Sequence, residues 1–244
     1  MSPNLPHELP FTVRIVRTEE DLRRAVAVRA DALRERLPEA DGIFVSPEEE
    51  DFQPNTVLLL AASQRDGSPL GSLRMMTSER GKRLTVERAL ELPETLRGQS
   101  IAEASRLAVR ADRGGTVVRM MLWKAFHRYC LAMQINRMLI AVRDSEVRLY
   151  ESFGFADAVP GGLNVSSGRS GAEMRRVLTL GVFEPLQRAE IRAHPLYDFF
   201  FTERHAEIEV FSSVASRWNA PRVRTQPLPD HARIAEQLEK LAFV

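Results

Sequence analysis

Phe11, Val13 and Ile15 alternate with Thr12 and Arg14, a period of two that predicts a half-buried strand. Thr18-x-x-Asp21 follows with the spacing of a capping box, Asp standing where Glu is usual. The period then changes to that of a helix, with Leu22, Val26 and Leu33 on one stripe. Arg29 falls on the same stripe. An arginine there either finds an anionic partner in the core or sits at the stripe edge and reaches water. Residues 37–54 read as a loop carrying Glu48-Glu-Glu-Asp51, a charge run expected to be solvated for most of its length. Residues 57–62 form an apolar strand, 64–68 a turn around Asp66-Gly67, and 70–76 the second strand of a hairpin. Residues 80–88 read as a polar connection, and 90–96 lead through a proline into the next strand.

The densest pattern runs from 101 to 155. A strand at 102–109 is followed by Arg113-Gly-Gly-Thr116, an apolar-rich helix at 117–133, a strand at 138–142 and a short helix ending at Gly154, before Phe155. Thr116 is the expected N-cap, with Val118, Leu122, Ala125, Phe126, Tyr129 and Met133 at helical spacing and Lys124, His127 and Arg128 marking a wet face. Asp144 is expected to cap the short helix. Strand, helix, strand at this spacing predicts parallel pairing of 102–109 with 138–142. Gly161-Gly162 and 166–171 read as loop, and 173–180 as the last strand of the core. Beyond 182 two helical stripes appear, Ile208, Phe211, Ala215 and Trp218, then Ile234, Leu238 and Leu241, joined by an extended connector at 221–229. The aromatic run Tyr197, Phe199, Phe200 and Phe201 is either core or the wall of an apolar pocket. The expected organisation is a flexible 1–10, a core at 11–181 and a helical extension at 182–244 packed on that core.

Composition narrows the class. The chain has 244 residues and a formal net charge of +1, so nothing in its charge asks for nucleic acid. No apolar run approaches the roughly 18 residues of a membrane span, and residues 1–10 do not read as a secretory signal. One cysteine, Cys130, excludes an intrachain disulfide and fits a reducing, cytoplasmic setting. The five histidines are scattered, so no metal site is expected.

Two motifs bracket the central stretch. Leu149-Tyr150-x-x-x-Gly154-Phe155 resembles the end of the GNAT acyltransferase core. Glu103-x-Ser105-Arg106, just before the glycine turn, resembles the strand of acyl-homoserine-lactone (autoinducer) synthases and of the related bacterial N-acyl amino acid synthases. The resemblance covers about residues 11–180 and implies an α/β (α+β) fold of the GNAT type. That fold has a mixed central sheet, two parallel strands that splay apart, flanking helices, and here a C-terminal helical extension.

The resemblance also implies chemistry. Acyl transfer from a thioester to an amine requires the amine to lose a proton, the carbonyl to be polarised and the thiolate to be stabilised. Glu103 is then the amine-side base, directly or through a water, with a structural ion pair as its plainer alternative. Arginine neighbours such as Arg29 or Arg74 are expected to keep it ionised. Tyr150 meets the thioester sulfur as a general acid, or is simply a packed aromatic. Arg29, Asp51, Arg74, Ser105 and Arg106 form the ionic acceptor site, with Asp41 competing for the place of Asp51. Ser105 shares a strand face with Glu103, whereas Arg106 points the other way unless a bulge turns it. Backbone around Leu107 and Val109 polarises the carbonyl, and Arg113, Gly114, Gly115 and Thr116 meet phosphate at the helix start.

The GNAT phosphate turn wants Gln or Arg, two residues, Gly, one residue, then Gly or Ala. Here Ala111, Gly114 and Thr116 stand at those places and only the glycine matches. That shifts weight from coenzyme A to an acyl carrier protein, whose phosphopantetheine has a single phosphodiester. No permanently bound cofactor is expected; the acyl thioester is a co-substrate. The implied enzyme is an N-acyltransferase making N-acyl amino acids. Alternatives are an acyl-homoserine-lactone synthase, an acetyltransferase using acetyl-coenzyme A, and a non-catalytic domain that binds an acyl ligand. Leu107-Ala108 in place of aromatic residues after Ser-Arg favours the amino acid reading over the lactone one.

Overall fold

The computed structural model describes residues 9–36, 46–78, 82–110, 115–167, 173–184 and 197–210. In chain order the main elements are β1 (Phe11–Ile15), α1 (Glu19–Arg36), β2 (Thr56–Ser63), β3 (Pro69–Thr77), β4 (Ile101–Val109), α2 (Gly115–Ala132), β5 (Arg137–Val142), α3 (Asp144–Ser152), β6 (Ala156–Asp157), β7 (Asn164–Ser167), β8 (Glu173–Gly181) and β9 (Ile208–Glu209). Short 3₁₀ turns lie at Glu49–Phe52 and Val86–Arg88.

Among the described residues, nine strands join one sheet in the order β6-β8-β5-β4-β3-β2-β1-β9, with β7 also on β8. β4 and β5 are parallel, as the strand-helix-strand pattern predicts, but only Ile101–Glu103 pairs with Arg137–Leu139. Beyond Glu103 the two strands part. On its other side β4 stays joined to β3 up to Val109, across a register shift between Ser72 and Arg74. There β4 spends one residue more than β3, a bulge with Arg106 at φ 54°. A left-handed conformation at a non-glycine residue costs about 1 kcal/mol or more, so surrounding contacts must hold it.

The two faces of the sheet differ. Leu59, Leu73, Met75, Ala102, Ala104, Met138, Ile140 and Leu178 meet α2 in the main apolar core. The opposite face carries two separate apolar patches. Leu58 and Leu60 pack with Leu22 and Val26 of α1, and Leu139, Ala141 and Val177 pack with Leu84 and Val86. Between those patches lie buried polar residues, among them Arg74, Glu103 and Ser105.

Local signals explain most element ends. Thr18 Oγ1 accepts the Asp21 N–H at 3.1 Å, while the Asp21 carboxylate takes both arms of Arg14 at 2.7 Å. Gly154 sits at φ +93°, past the end of α3, where a residue with a side chain is strained. Gly115 opens α2 so close to β4 that a Cβ there would lie 2.5 Å from the Arg110 carbonyl oxygen.

Several expectations are corrected. Thr116 lies inside the first turn of α2 and does not cap it, because the helix begins at Gly115. Arg143 occupies the N-cap of α3 and Asp144 its first turn. Lys124 and His127 do not mark a wet face, since both are buried. Residues 197–210 cover them: Lys124 Nζ donates to the Phe199 carbonyl and lies 4.6 Å from that ring's centroid, and the His127 ring edge meets Phe201. His127 Nε2 is 3.0 Å from the Val182 carbonyl oxygen. Ile208 belongs to a strand paired with β1, not to a helical stripe. The rest of both C-terminal stripes, the connector at 221–229 and the side chain of Leu33 lie outside the described residues. Residues 80–88 are not simply polar connection, because Leu84 and Val86 are buried. No helix among the described residues is long and apolar enough to cross a membrane.

Gly115→Ala should destabilise the fold by about 1–3 kcal/mol through overpacking against Arg110, read as a lower urea midpoint at unchanged slope. Burial, then the charge of Arg128, pushes the Lys124 amine down to about 7. The unfolded chain holds that proton up to its ordinary value near 10.5, so stability rises with pH between about 7 and 10. Lys124→Met should flatten that rise, checked by urea midpoints of both proteins across the window.

Candidate active site

Arg29 projects from α1 onto the charged face and is 3% exposed. Its guanidinium meets the Asp51 carboxylate with both arms, at 2.8 and 3.0 Å. Asp51 closes the 3₁₀ turn at Glu49–Phe52: its carboxylate accepts the Glu48 N–H at 3.0 Å, and its own N–H donates to the Glu48 carbonyl at 3.1 Å. The turn thereby holds Glu48 and Asp51 side by side. Arg74 of β3 reaches the Glu48 carboxylate at 3.0 Å and Asp51 at 3.4 Å, and its Nε donates to Ser105 Oγ at 3.1 Å. Arg106 grips Glu48 with two donors, both at 2.7 Å.

The bulge is what brings Arg106 there. On a regular strand it would face α2, opposite Ser105. The left-handed turn of its backbone places it with Ser105 on the charged face. The arrangement therefore gathers Arg29, Asp51, Arg74, Ser105 and Arg106, all anticipated, and adds Glu48, which was not. Glu48 and Asp51 depart from the solvated charge run, while Glu49 stays exposed. The i, i+3 spacing of the two carboxylates marks the turn itself, but not the arginines that cover Glu48.

Three guanidiniums face two carboxylates, so the cluster carries one positive charge in excess. Burial pushes Glu48 up, but Arg106, then Arg74 and Arg29, bring it down to about 2. Asp51 is likewise held below its ordinary value, the Arg29 charge and hydrogen bonds outweighing burial. Both carboxylates are ionised at neutral pH.

Glu103 is different. It shares the face of Ser105, with no exposed surface, yet its carboxylate turns to the 3₁₀ turn at Val86–Arg88, where both oxygens lie 3.2 Å from the Val86 nitrogen. Burial pushes its carboxyl up to about 7, against the pull of the Val86 and Thr85 N–H groups and the charge of Arg74. The expectation that arginine neighbours keep it firmly ionised is corrected. Arg29 and Arg74 point their arms at Asp51 and Glu48, which leaves desolvation the largest influence on Glu103.

The donor side is set by the parting of β4 and β5. The Arg110 N–H donates to Leu70 on β3 at 3.0 Å. Alternation along the strand turns the N–H groups of Leu107 and Val109 away from β3, toward the gap. Gly115 and Thr116 stand at the start of α2 beside the end of β4, whereas Arg113 and Gly114 lie outside the described residues, as does Asp41. Tyr150 is buried on the α2 side, edge-on to Trp123 with ring centroids 5.3 Å apart and near Phe155. It thus belongs to the opposite face from Glu103, and the gap where β4 and β5 part lies between the two sides. Among the described residues no group of histidines, cysteines and carboxylates could hold a metal.

An oxyanion can be met by N–H groups at the gap, an amine by the charged face, and a proton by a carboxyl poised near neutrality. A search of curated proteins found no match. Among solved structures, the N-acyl amino acid synthase FeeM from uncultured soil microbes superposes with a TM-score of 0.55 at 13% identity, covering 78% of this chain and 96% of that one. The coenzyme A-dependent acyl-homoserine lactone synthase BjaI, solved with SAM and isopentyl-CoA, gives 0.55 at 14% identity over 81% and 97%. The acyl-homoserine lactone synthase LasI gives 0.51 at 18% over 70% and 90%. At such identities these likenesses show the GNAT acyltransferase fold alone. Membership rests on a family model, described as N-acyl amino acid synthase FeeM, that matches residues 22–165. The chain belongs to the FeeM family of N-acyl amino acid synthases and is an N-acyltransferase.

Proposed function

We propose that this enzyme transfers a fatty acyl group from a carrier-bound thioester to the amine of an amino acid. One observation carries the reading: the charged face of Arg29, Glu48, Asp51, Arg74 and Arg106 adjoins Glu103 where β4 and β5 part. A charged amino acid can be oriented on such a face, while an acyl thioester enters the gap from the α2 side.

The steps follow from the placement. The acceptor ammonium gives a proton to Glu103, directly or through a water. Its nitrogen attacks the thioester carbonyl carbon, and the Leu107 and Val109 N–H groups meet the negative charge that develops on oxygen. The carbon–sulfur bond breaks and the thiolate takes a proton from Tyr150; the second proton that the nitrogen sheds on becoming an amide restores the tyrosine hydroxyl through solvent, and Glu103 returns its proton to solvent. A carboxyl near 7 suits the base role better than one held ionised far below neutrality. The donor is an acyl carrier protein, because the residues after β4 keep only one glycine of the coenzyme A cradle. Such carriers work in the cytoplasm, in keeping with a lone buried cysteine.

Expression in a bacterium should add N-acyl amino acids to solvent extracts, read by mass spectrometry. Extracts indistinguishable from those of a Glu103→Ala strain would sink the synthase reading, and acylated homoserine lactones in their place would redirect it. Purified enzyme should turn over acyl carrier protein thioesters faster than the matching coenzyme A esters; the reverse order would overturn the donor assignment.

With Glu103 as base, kcat/KM should climb about tenfold per pH unit below its folded value near 7 and level off above it. Glu103→Gln should lower kcat/KM by about 10²–10⁴ and abolish that limb. A variant that keeps the acidic limb would show that another group titrates.

A further inference from the structure

Residues 197–210 follow the last core strand, close over α2, and take no part in the steps above. Asp198–Thr202 form a single π-turn, and its three phenylalanine rings meet different neighbours. Phe199 lies under the Lys124 ammonium, Phe201 meets the His127 ring, and Phe200 packs on Phe153 with centroids 5.1 Å apart at 66°. Two α2 side chains pin the backbone here: Lys124 Nζ donates to the Phe199 carbonyl and the Arg128 guanidinium to the Glu203 carbonyl. Further on, the Glu207 carboxylate accepts the Leu9 N–H at 2.9 Å, its carbonyl accepts the Val13 N–H at 2.8 Å, and Ile208 pairs with Val13. The segment is thus fastened to α2 at one end and to β1 at the other.

Phe200 reaches Tyr150 through one ring. Phe153 is the C-cap of α3 and half-buried, and it stands edge-on to Tyr150 with centroids 6.3 Å apart at 74°. The Tyr150 ring has two further edge-on contacts, with Trp123 at 5.3 Å and Phe155 at 6.1 Å. Those two rings also pack on each other at 5.7 Å and belong to the main core, so their places are set by α2 and the sheet. Phe153 sits instead at the end of a nine-residue helix. Among the described residues, the rings it meets are Tyr150 and Phe200. An edge-to-face pair contributes about 0.5–1.5 kcal/mol beyond its burial and depends on orientation. Two such pairs in series, Phe200 on Phe153 and Phe153 on Tyr150, carry the position of the π-turn to the tyrosine ring.

We propose that Phe200 is a positioning residue: acting through Phe153, it holds Tyr150 at the angle from which its hydroxyl protonates the departing thiolate. Proton transfer to the leaving sulfur needs donor and acceptor within hydrogen-bond reach, and misplacing a catalytic group by about 1 Å can cost about 10²-fold in rate. A tyrosine ring turns about two side-chain torsions, so the contacts on its edges decide where the hydroxyl stands. Phe199 and Phe201 hold the π-turn to α2, and Phe200 carries its position to α3. This inference rests on the general-acid role given to Tyr150 above and names what supports it.

The test is a double-mutant cycle of Phe200→Ala and Tyr150→Phe in the full chain, with Phe201→Leu as control. Dodecanoyl thioesters of acyl carrier protein and coenzyme A serve as donors and the proteinogenic amino acids as acceptors, with thiol release as the readout. Tyr150→Phe should lower kcat about 10²-fold and Phe200→Ala about tenfold, each with KM within about twofold of wild type. In the Tyr150→Phe protein, Phe200→Ala should change kcat by less than about twofold, because the group it positions is gone. Phe201→Leu, whose ring meets His127 and Tyr197, should lower the melting temperature and keep kcat. Should Phe200→Ala fail to fold, Phe200→Leu with an unchanged melting temperature carries the same cycle. A similar loss in both tyrosine backgrounds, an unchanged kcat in Phe200→Ala, or an equal loss in Phe201→Leu would overturn the assignment and leave the general-acid reading standing. Full kcat in Tyr150→Phe would remove the general acid, and no turnover of any amino acid by wild type would remove the synthase reading; either takes this inference with it.

Discussion

Everything on the charged face depends on the two-armed contact between Arg29 and Asp51. Neither side chain can reach water, so each needs the other to offset its loss of hydration. That contact ties α1 to the turn at Glu49–Phe52, and the turn then fixes Glu48. Glu48 takes two further arginines, one from β3 and one from β4. Removing a single member would leave a buried charge without compensation, which is far more costly than the whole cluster being apolar. A fold in search of stability alone has cheaper ways to join a helix to a sheet. The cluster is thus better explained by what it presents than by what it holds together.

In the reaction proposed above, the same strand serves both halves because it is irregular. Below Glu103, β4 is bonded on both edges; above it, only the β3 edge remains. The bulge at Arg106 turns one extra side chain toward the acceptor face. The strand beyond it aims the N–H groups of Leu107 and Val109 into the gap. The strain of a left-handed arginine is held by its two bonds to Glu48. The proposed acceptor face and the proposed donor gap are thereby linked through a few consecutive residues.

How much of this was legible in the sequence follows physical lines. Periodicity found the strands and helices of the core because their burial is one-sided or complete. Arg29 was legible as a cation on an apolar stripe, and Glu103, Ser105 and Arg106 as a motif. Glu48 was not, since a half-buried carboxylate in an acidic run has the composition of a solvated one. Only the contacts of three distant arginines separate the two. Lys124 and His127 were misread for a related reason. Their cover includes Phe199 and Phe201, more than 70 residues away in sequence, and helical spacing carries no information about what lies on top. Val86 was missed because a polar stretch can bury two residues and still look like a connection.

Glu103 shows why a motif underdetermines chemistry. Its neighbours in sequence suggest an ion-paired carboxylate, and arginines do stand close by. The hydrogen bonds of Arg29 and Arg74 go to Asp51, Glu48 and Ser105, and the groups that touch Glu103 are backbone N–H groups of a short turn. Backbone dipoles offset burial less fully than a guanidinium, so the carboxyl rises to about 7, whereas Glu48 falls to about 2. Two glutamates on one face are thus driven apart by what they contact. One stays charged and fixes the arginines; the other can gain and lose a proton near neutrality. That division of labour is what a transfer from ammonium to amide requires.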